Sequence, residues 1–448
     1  MSGFSHVQDS QLLGHLFSSA AMKEVFCDKA MLAGWLKAEQ VLALEQARLG
    51  IIPDASADSI ALACNVEHYD LNALGASITK ASHPLTPIIK ALETQVGEHA
   101  QYVHFGATTQ DIMDTGLVLQ IRDGLDLIIA SHRELVSECI RQARKWRSLP
   151  MAGRTHGQHA VPITLGLKFA LWASETHRHQ VRLEQVRSQL AVQFAGAAGT
   201  LATLPQSGAR VRAGMAKALN LLDPHESWHT ARDRIAQIVS QLALSCASCG
   251  KIGNEIVNLQ RTEIGELLEG AAPGTGGSST MPQKRNPMMA QNIVALAKLM
   301  STKPAAMSEA MMHEHERDMA AWSIEWAIVP ESFIYAHATL EQGVKLIRYV
   351  EVNEARIHKN LYATDGLICA EAVMMDLSHE LGRNNAHHVI ADIITLTASG
   401  DVNLETALNN DARINVHRTP EQISALLDPA NYLGEAVSVV DRIVNELE

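Results

Sequence analysis

The stretch IAQIVSQLALSCASCGKIGNEIVNL, residues 235–259, decides how the rest of the chain is read. Its apolar side chains fall at Ile235, Val239, Leu242, Cys246, Cys249, Ile252, Ile256 and Leu259. That three- and four-residue spacing predicts one face of an α-helix turned toward a core. No proline occurs between Pro224 and Pro273, so nothing in the covalent chain stops such a helix early. A helix of about 25–35 residues runs about 40–50 Å, longer than a compact domain needs, and rods of that length bury their stripes against one another in a bundle.

The same texture extends outward. Between Pro87 and Pro150 the residues Leu117, Ile121, Leu125, Ile128, Leu135 and Ile140 keep helical spacing. A third pattern follows Pro162, through Leu165, Phe169, Leu171 and Trp172 to Leu190. A fourth follows Pro287, with bends or breaks expected at Pro304 and Pro330. The reading is an all-α protein with five long helical segments between about 113 and 350. Residues 1–112 form an N-terminal helical domain, 113–355 the central bundle and 356–448 a C-terminal helical domain. Only 4% of the 448 residues are aromatic, which leans further from sheet. No repeat and no low-complexity linker interrupts the pattern.

Composition narrows the function. Lys plus Arg is 37 against 49 Asp plus Glu, a net charge of −12, which argues against a general nucleic-acid binder. An anionic substrate stays open, because a pocket needs only a few placed cations. Hydrophobic residues at 47% and charged ones at 19% describe a globular protein with a core to bury. The N-terminal MSGFSHVQDSQLLGHLF has no basic, apolar leader pattern, and no long uninterrupted apolar run predicts a membrane span. Six scattered cysteines fit a reducing cytoplasm. Cys246 and Cys249 lie on a helical stripe and read as buried thiols rather than a redox or metal pair.

One segment breaks the helical texture: GTGGSSTMPQKRNP, residues 274–287. Its three glycines give a permissive backbone, and Pro282 and Pro287 stiffen the exit. The segment also holds two serines, a lysine, an arginine and an asparagine, all able to grip a carboxylate. That combination suits an active-site lid. A phosphate-binding P-loop would need lysine directly after glycine and a following Ser or Thr, and neither is present around Lys284.

Residues 277–287, GSSTMPQKRNP, closely resemble the signature loop of the fumarase/aspartase (fumarate lyase) superfamily. Gly106-Ala-Thr-Thr-Gln-Asp111 and Gly153-Arg-Thr-His-Gly-Gln158 resemble its two other substrate-binding stretches, in order, so the resemblance covers essentially the whole chain. Within the superfamily it is strongest to the 3-carboxy-cis,cis-muconate cycloisomerase branch, through residues 109–120, 228–234, 314–317 and 385–388. That branch usually has tryptophan where this chain has His156 and histidine where it has Gln283. His156 is instead what fumarate-releasing lyases carry, and Arg317-Asp318 followed by Ser323 is similar to adenylosuccinate lyase.

The resemblance implies a cofactor-free, metal-free β-elimination or addition on a small polycarboxylate. A proton leaves the carbon beside a carboxylate, and the extra charge needs prearranged cations and donors. Ser278 is implied as general base, with Ser279 the second choice. Lys284 and Asn286 clamp the developing charge, and His156 protonates the leaving group. Thr108, Thr109, Gln110, Thr155, Gln158, Ser279, Met281 and Arg317 are the implied substrate-binding residues. Thr108 and Thr109 can also serve as a helix cap with Asp111, and Arg317 as one half of an ion pair. The clusters at His313–Glu316 and His387–His388 lack metal-ligand spacing. The family's assembly is a homotetramer with a 20-helix core and sites shared by three subunits, binding neither nucleic acid nor membrane. Three readings follow: a lyase releasing fumarate from a substituted succinate, the cycloisomerase, and a non-catalytic structural homologue. The last is weakest because Ser278, Lys284 and Asn286 are all present.

Overall fold

The computed structural model describes residues 6–270, 281, 283–397 and 402–448. Its principal helices are α1 (Asp28–Arg48), α2 (Thr86–Val96), α3 (Thr109–Lys145), α4 (Leu165–Ser188), α5 (Asp233–Leu259), α6 (Met288–Met300), α7 (Met319–Tyr349), α8 (Glu354–Leu361), α9 (Ala370–Leu381) and α10 (Arg383–Thr397). The five long segments are α3 to α7, so the all-α reading stands. All eight apolar positions that define α5 are buried. On α3 five of the six are buried and Leu117 is partly exposed.

The fourth pattern breaks at Pro304, as expected, but not at Pro330. Pro304 sits in the first turn of a separate helix, Lys303–Ala310, where its missing N–H removes no hydrogen bond. Pro330 lies inside α7 and does not end it. The ring removes only the amide that would bond the carbonyl of Trp326. Buried Trp322, Val329 and Phe333 hold the helix on both sides of that gap.

Among the described residues two small antiparallel sheets interrupt the helices, and helical periodicity did not predict them. β1 (Pro150–Thr155) pairs with β2 (Gln158–Thr164), and β3 (Leu267–Leu268) pairs with β4 (Glu351–Val352).

The chain divides into two compact units, Met1–Arg133, Arg178–Gly250 and Asn292–Glu341 forming one, and Glu134–His177, Lys251–Gln291 and Gln342–Glu448 the other. Each of α3 to α7 contributes residues to both. In the first unit the core gathers α1, α2, the start of α3 and the 192–219 region around Trp35, Leu92, Phe194 and Met215. The backbones of α1 and α3 approach closely at Gly34 and Gly116, where a Cβ on Gly116 would lie 2.5 Å from the Trp35 ring. In the second unit α9 and α10 pack with Leu404, Leu408, Ile414 and Ile423. Ala152 of β1 packs there with Leu361, Ile368 and Cys369. Among the described residues α5 is long and apolar enough to cross a membrane, but 61% of its apolar window is buried inside the protein.

Candidate active site

In the first unit the site is built around a buried carboxylate. Asp111 is wholly enclosed, and its oxygens accept four N–H donors. Oδ2 takes the amides of Thr108 and Gly196, both at 3.0 Å, while Oδ1 takes the Ala195 amide at 2.9 Å and His229 Nε2 at 2.8 Å. The Thr108 contact is half of a capping box, in which the Asp111 side chain satisfies the Thr108 amide at the start of α3. That cap fixes the backbone of Thr108 and Thr109, whose side chains remain partly exposed.

Gln110 is fully buried. Its amide donates to the His229 carbonyl at 2.9 Å, and its oxygen accepts Arg317 Nε at 3.0 Å. Its oxygen and one of its two amide N–H groups are therefore engaged within the chain. Through that oxygen it also holds Arg317. Arg317 also donates to the Ala197 carbonyl at 3.0 Å. Both of its acceptors are neutral, and among the described residues no carboxylate pairs with it. Its charge is uncompensated, unlike that of Arg232. Arg232 is buried between Asp114 at 2.7 and 3.0 Å and Glu325 at 2.8 and 2.5 Å. Arg234 is half-exposed toward Glu226 at 3.4 Å.

His83 joins this group, and the sequence reading missed it. Its Nδ1 accepts from Thr86 N at 3.0 Å and Thr86 Oγ1 at 2.8 Å at the start of α2, and its Nε2 lies 3.5 Å from Thr109 Oγ1. The available signal was a histidine just ahead of a proline-marked helix start.

In the second unit Thr155, His156, Gly157 and Gln158 form the β1–β2 hairpin turn. Thr155 faces Gln158 across a two-residue loop in which His156 has φ +53° and Gly157 φ +76°. Both central residues are left-handed, the geometry that matches strand twist, and Gly157 adopts it without strain. His156 stands exposed at the apex with no side-chain partner among the described residues. Arg154 is not free for substrate, because it makes a two-pronged pair with buried Glu266 at 2.9 and 2.5 Å.

Residues 283–287 are anchored beside the same stretch of chain. Arg285 pairs with Glu351 through two 2.8 Å bonds and donates to the Glu269 carbonyl at 3.0 Å. The Glu269 carboxylate accepts the Met289 and Ala290 amides at 3.1 and 2.9 Å, capping α6. Lys284 N closes a turn onto the Met281 carbonyl at 3.0 Å. Arg285 is thus an anchor and not a carboxylate grip. Lys284, Asn286 and Met281 are exposed. Both loops are tied to residues 266–269, Arg154 through Glu266 and Arg285 through Glu269. Ser278 and Ser279 lie outside the described residues.

Cys246 is buried, which pushes its thiol far up from the usual range, and neither it nor Cys249 is disulfide-bonded. Among the described residues no group of three His, Cys, Asp or Glu side chains could hold a metal ion.

The Lyase family matches residues 17–300, and the family described as the adenylosuccinate lyase C-terminus matches residues 366–443. The chain is 39% identical to 3-carboxy-cis,cis-muconate cycloisomerase of Pseudomonas aeruginosa, covering 99% of this chain and 97% of that protein. It is 35% identical to N-acetyl-S-(2-succino)cysteine lyase of Dickeya dadantii, covering 98% and 97%. Its fold superimposes on the crystal structure of the 3-carboxy-cis,cis-muconate lactonizing enzyme of Pseudomonas putida with a TM-score of 0.92 at 40% identity, covering 98% and 99%.

Proposed function

Because the chain belongs to the lyase family and is an enzyme of the fumarate-lyase type, we propose that it catalyses reversible anti β-elimination on a small polycarboxylate, releasing fumarate from a substituted succinate. The observation that carries this reading is His156, held exposed at the apex of an anchored hairpin with no side-chain partner among the described residues. A heteroatom leaving group needs a proton as it departs, and imidazole is the side chain that delivers one near neutral pH.

In the proposed step the C–H bond beside one carboxylate breaks and Ser278 takes the proton. The electron pair is held first as an aci-carboxylate against Lys284 and Asn286, then forms the C=C bond as the bond to the leaving group breaks. His156 protonates that group. Thr108, Thr109, Gln110, Arg317, Thr155, Gln158, Ser279 and Met281 hold the substrate, and Gln110 also holds Arg317. Serine is a poor base alone, so nearby cations must activate it.

A second reading is the lactone-forming cycloisomerase, favoured by the names of the P. aeruginosa and P. putida relatives. An ultraviolet assay against N-, O- and S-succinyl adducts and carboxymuconate separates the two. Appearance of fumarate supports elimination, and loss of the conjugated diene supports cycloisomerisation. Silence across the whole panel would sink both.

The enzyme is proposed to be a cytoplasmic homotetramer organised as 1–112, 113–355 and 356–448. Six unbridged cysteines support the compartment. Exposed Leu171 and Val181 on α4 and Leu244 on α5, each about half accessible, support a partner surface on the bundle helices. Sedimentation of the purified protein reads the assembly directly.

A further inference from the structure

The turn that leads into Thr108 is held in an unusual backbone shape. His104 has φ +57° and Gly106 φ +76°, two left-handed residues within three positions. For histidine that conformation costs about 1–2 kcal/mol, so the surroundings must hold it. They do so from α1. His104 Nδ1 meets Glu39 Oε1 at 2.6 Å, and Gln46 Nε2 donates to the Phe105 carbonyl at 2.6 Å. Glu39 and Gln46 are seven residues apart and so share one face of α1. A Cβ on Gly106 would lie 2.9 Å from Leu204, so the turn is packed on its other side as well. The Ala107 amide closes it onto the His104 carbonyl at 3.2 Å, and Thr108 then passes to Asp111.

Glu39 is an expensive residue at this position. It is only 3% exposed, and its Oε2 is buried with no hydrogen-bond partner. An apolar side chain of similar size would avoid that desolvation, so net stability is a poor account of the pair and fixing a geometry is a better one. On the reading that Thr108 and Thr109 receive a substrate carboxylate, we infer that Glu39 and His104 are positioning residues, a latch that holds the 104–108 turn in its substrate-binding shape. The charged groups acting on His104 are all carboxylates, Glu39 of α1, Glu93 of α2 and Asp111 of α3. Burial alone would push the imidazole down, but these charges and the Glu39 hydrogen bond together raise it above its ordinary value, which favours the charged form beside Glu39.

Glu39→Gln, His104→Asn and the double variant test the latch. Gln keeps the shape and a neutral hydrogen bond, and Asn tolerates the left-handed turn, so all three should fold. Amide hydrogen exchange of peptides spanning 103–112, without substrate, should speed by about tenfold or more in Glu39→Gln, while α9 and α10 exchange as before. For a diacid that the wild type turns over, KM should rise by about tenfold with kcat within about twofold, as expected for one lost charged hydrogen bond. The double variant should then be no worse than the more affected single one, because the same contact is removed once. Unchanged exchange, an unchanged KM, or effects that multiply in the double variant would overturn the latch. If no diacid is turned over, the functional reading fails, while the exchange result still decides the latch.

Discussion

The Arg285 guanidinium is matched by Glu351 through both terminal nitrogens, whereas its neighbour Lys284 is exposed and meets no carboxylate among the described residues. A cation left uncompensated on an anchored segment stabilises charge that appears only during reaction, which is how such groups lower a barrier. Lys284→Met should therefore lower kcat by about 10²- to 10³-fold, while the melting temperature stays within about 1 °C because an exposed, unpaired side chain contributes little to folding. Turnover near the wild-type value in a folded Lys284→Met enzyme would remove the clamp from the mechanism. At this scale the sequence supplied residue types but not partners. Arg154 and Arg285 each read locally as able to grip substrate, yet their carboxylates lie 112 and 66 positions away. The 207-residue separation of Arg317 from Gln110 and the 65-residue separation of His104 from Glu39 hid those contacts equally. The motifs at 106–111, 153–158 and 277–287 were legible because their chemistry is written in consecutive residues.

Helices were legible wherever one stripe met one core. The α5 pattern gave its own length and buried face, and α3 did so with Leu117 as the departure. The β1–β2 hairpin was not legible as strands. Its turn is His-Gly rather than the usual Asn-Gly, and its strands are short and carry Pro162 and Gly153. Pro330 misled for the opposite reason, because burial on both sides outweighs one lost backbone bond. The start of α3 carries the element's sharpest dependence. Asp111 accepts from the Thr108, Ala195 and Gly196 amides and from His229, and all of these are donors. Asp111→Asn would turn one acceptor oxygen into an NH2 group facing N–H groups. Loss of the charge and of at least one buried bond should cost about 3 kcal/mol, and KM should rise because Thr108 and Thr109 lose their fixed cap. Thermal unfolding and steady-state kinetics on the same preparation check both parts. An Asn variant that melts with the wild type would mean that Asp111 does not organise this junction.

Across the whole molecule, the division into two units was hidden from a residue-by-residue reading, because neither unit is one continuous stretch of chain. What the whole fold does impose is the burial of neutral imidazoles within the first unit. His132 is 1% exposed, bonded to Ser245 Oγ at 2.7 Å with Nδ1 unpartnered, and burial lowers it to about 3. His337, held by Ser19 at 2.6 Å and Ser131 at 3.3 Å, is also lowered by burial. The unfolded chain protonates these rings near pH 6.5, and the folded chain protonates them only at lower pH, His132 at about 3. Between those limits the unfolded state binds more protons, so stability is complete above about pH 6.5 and falls as the pH drops toward 3. His132 contributes about 1.4 kcal/mol per pH unit across that window. His132→Gln removes one titrating group while keeping a polar side chain beside Ser245. The slope of unfolding free energy from about pH 6 to 4, measured by urea denaturation at fixed protein concentration, should flatten by about that amount. Comparing slopes and not absolute stabilities separates the proton from any packing lost with the ring. A slope equal to the wild type would mean that His132 takes up its proton while the protein is still folded.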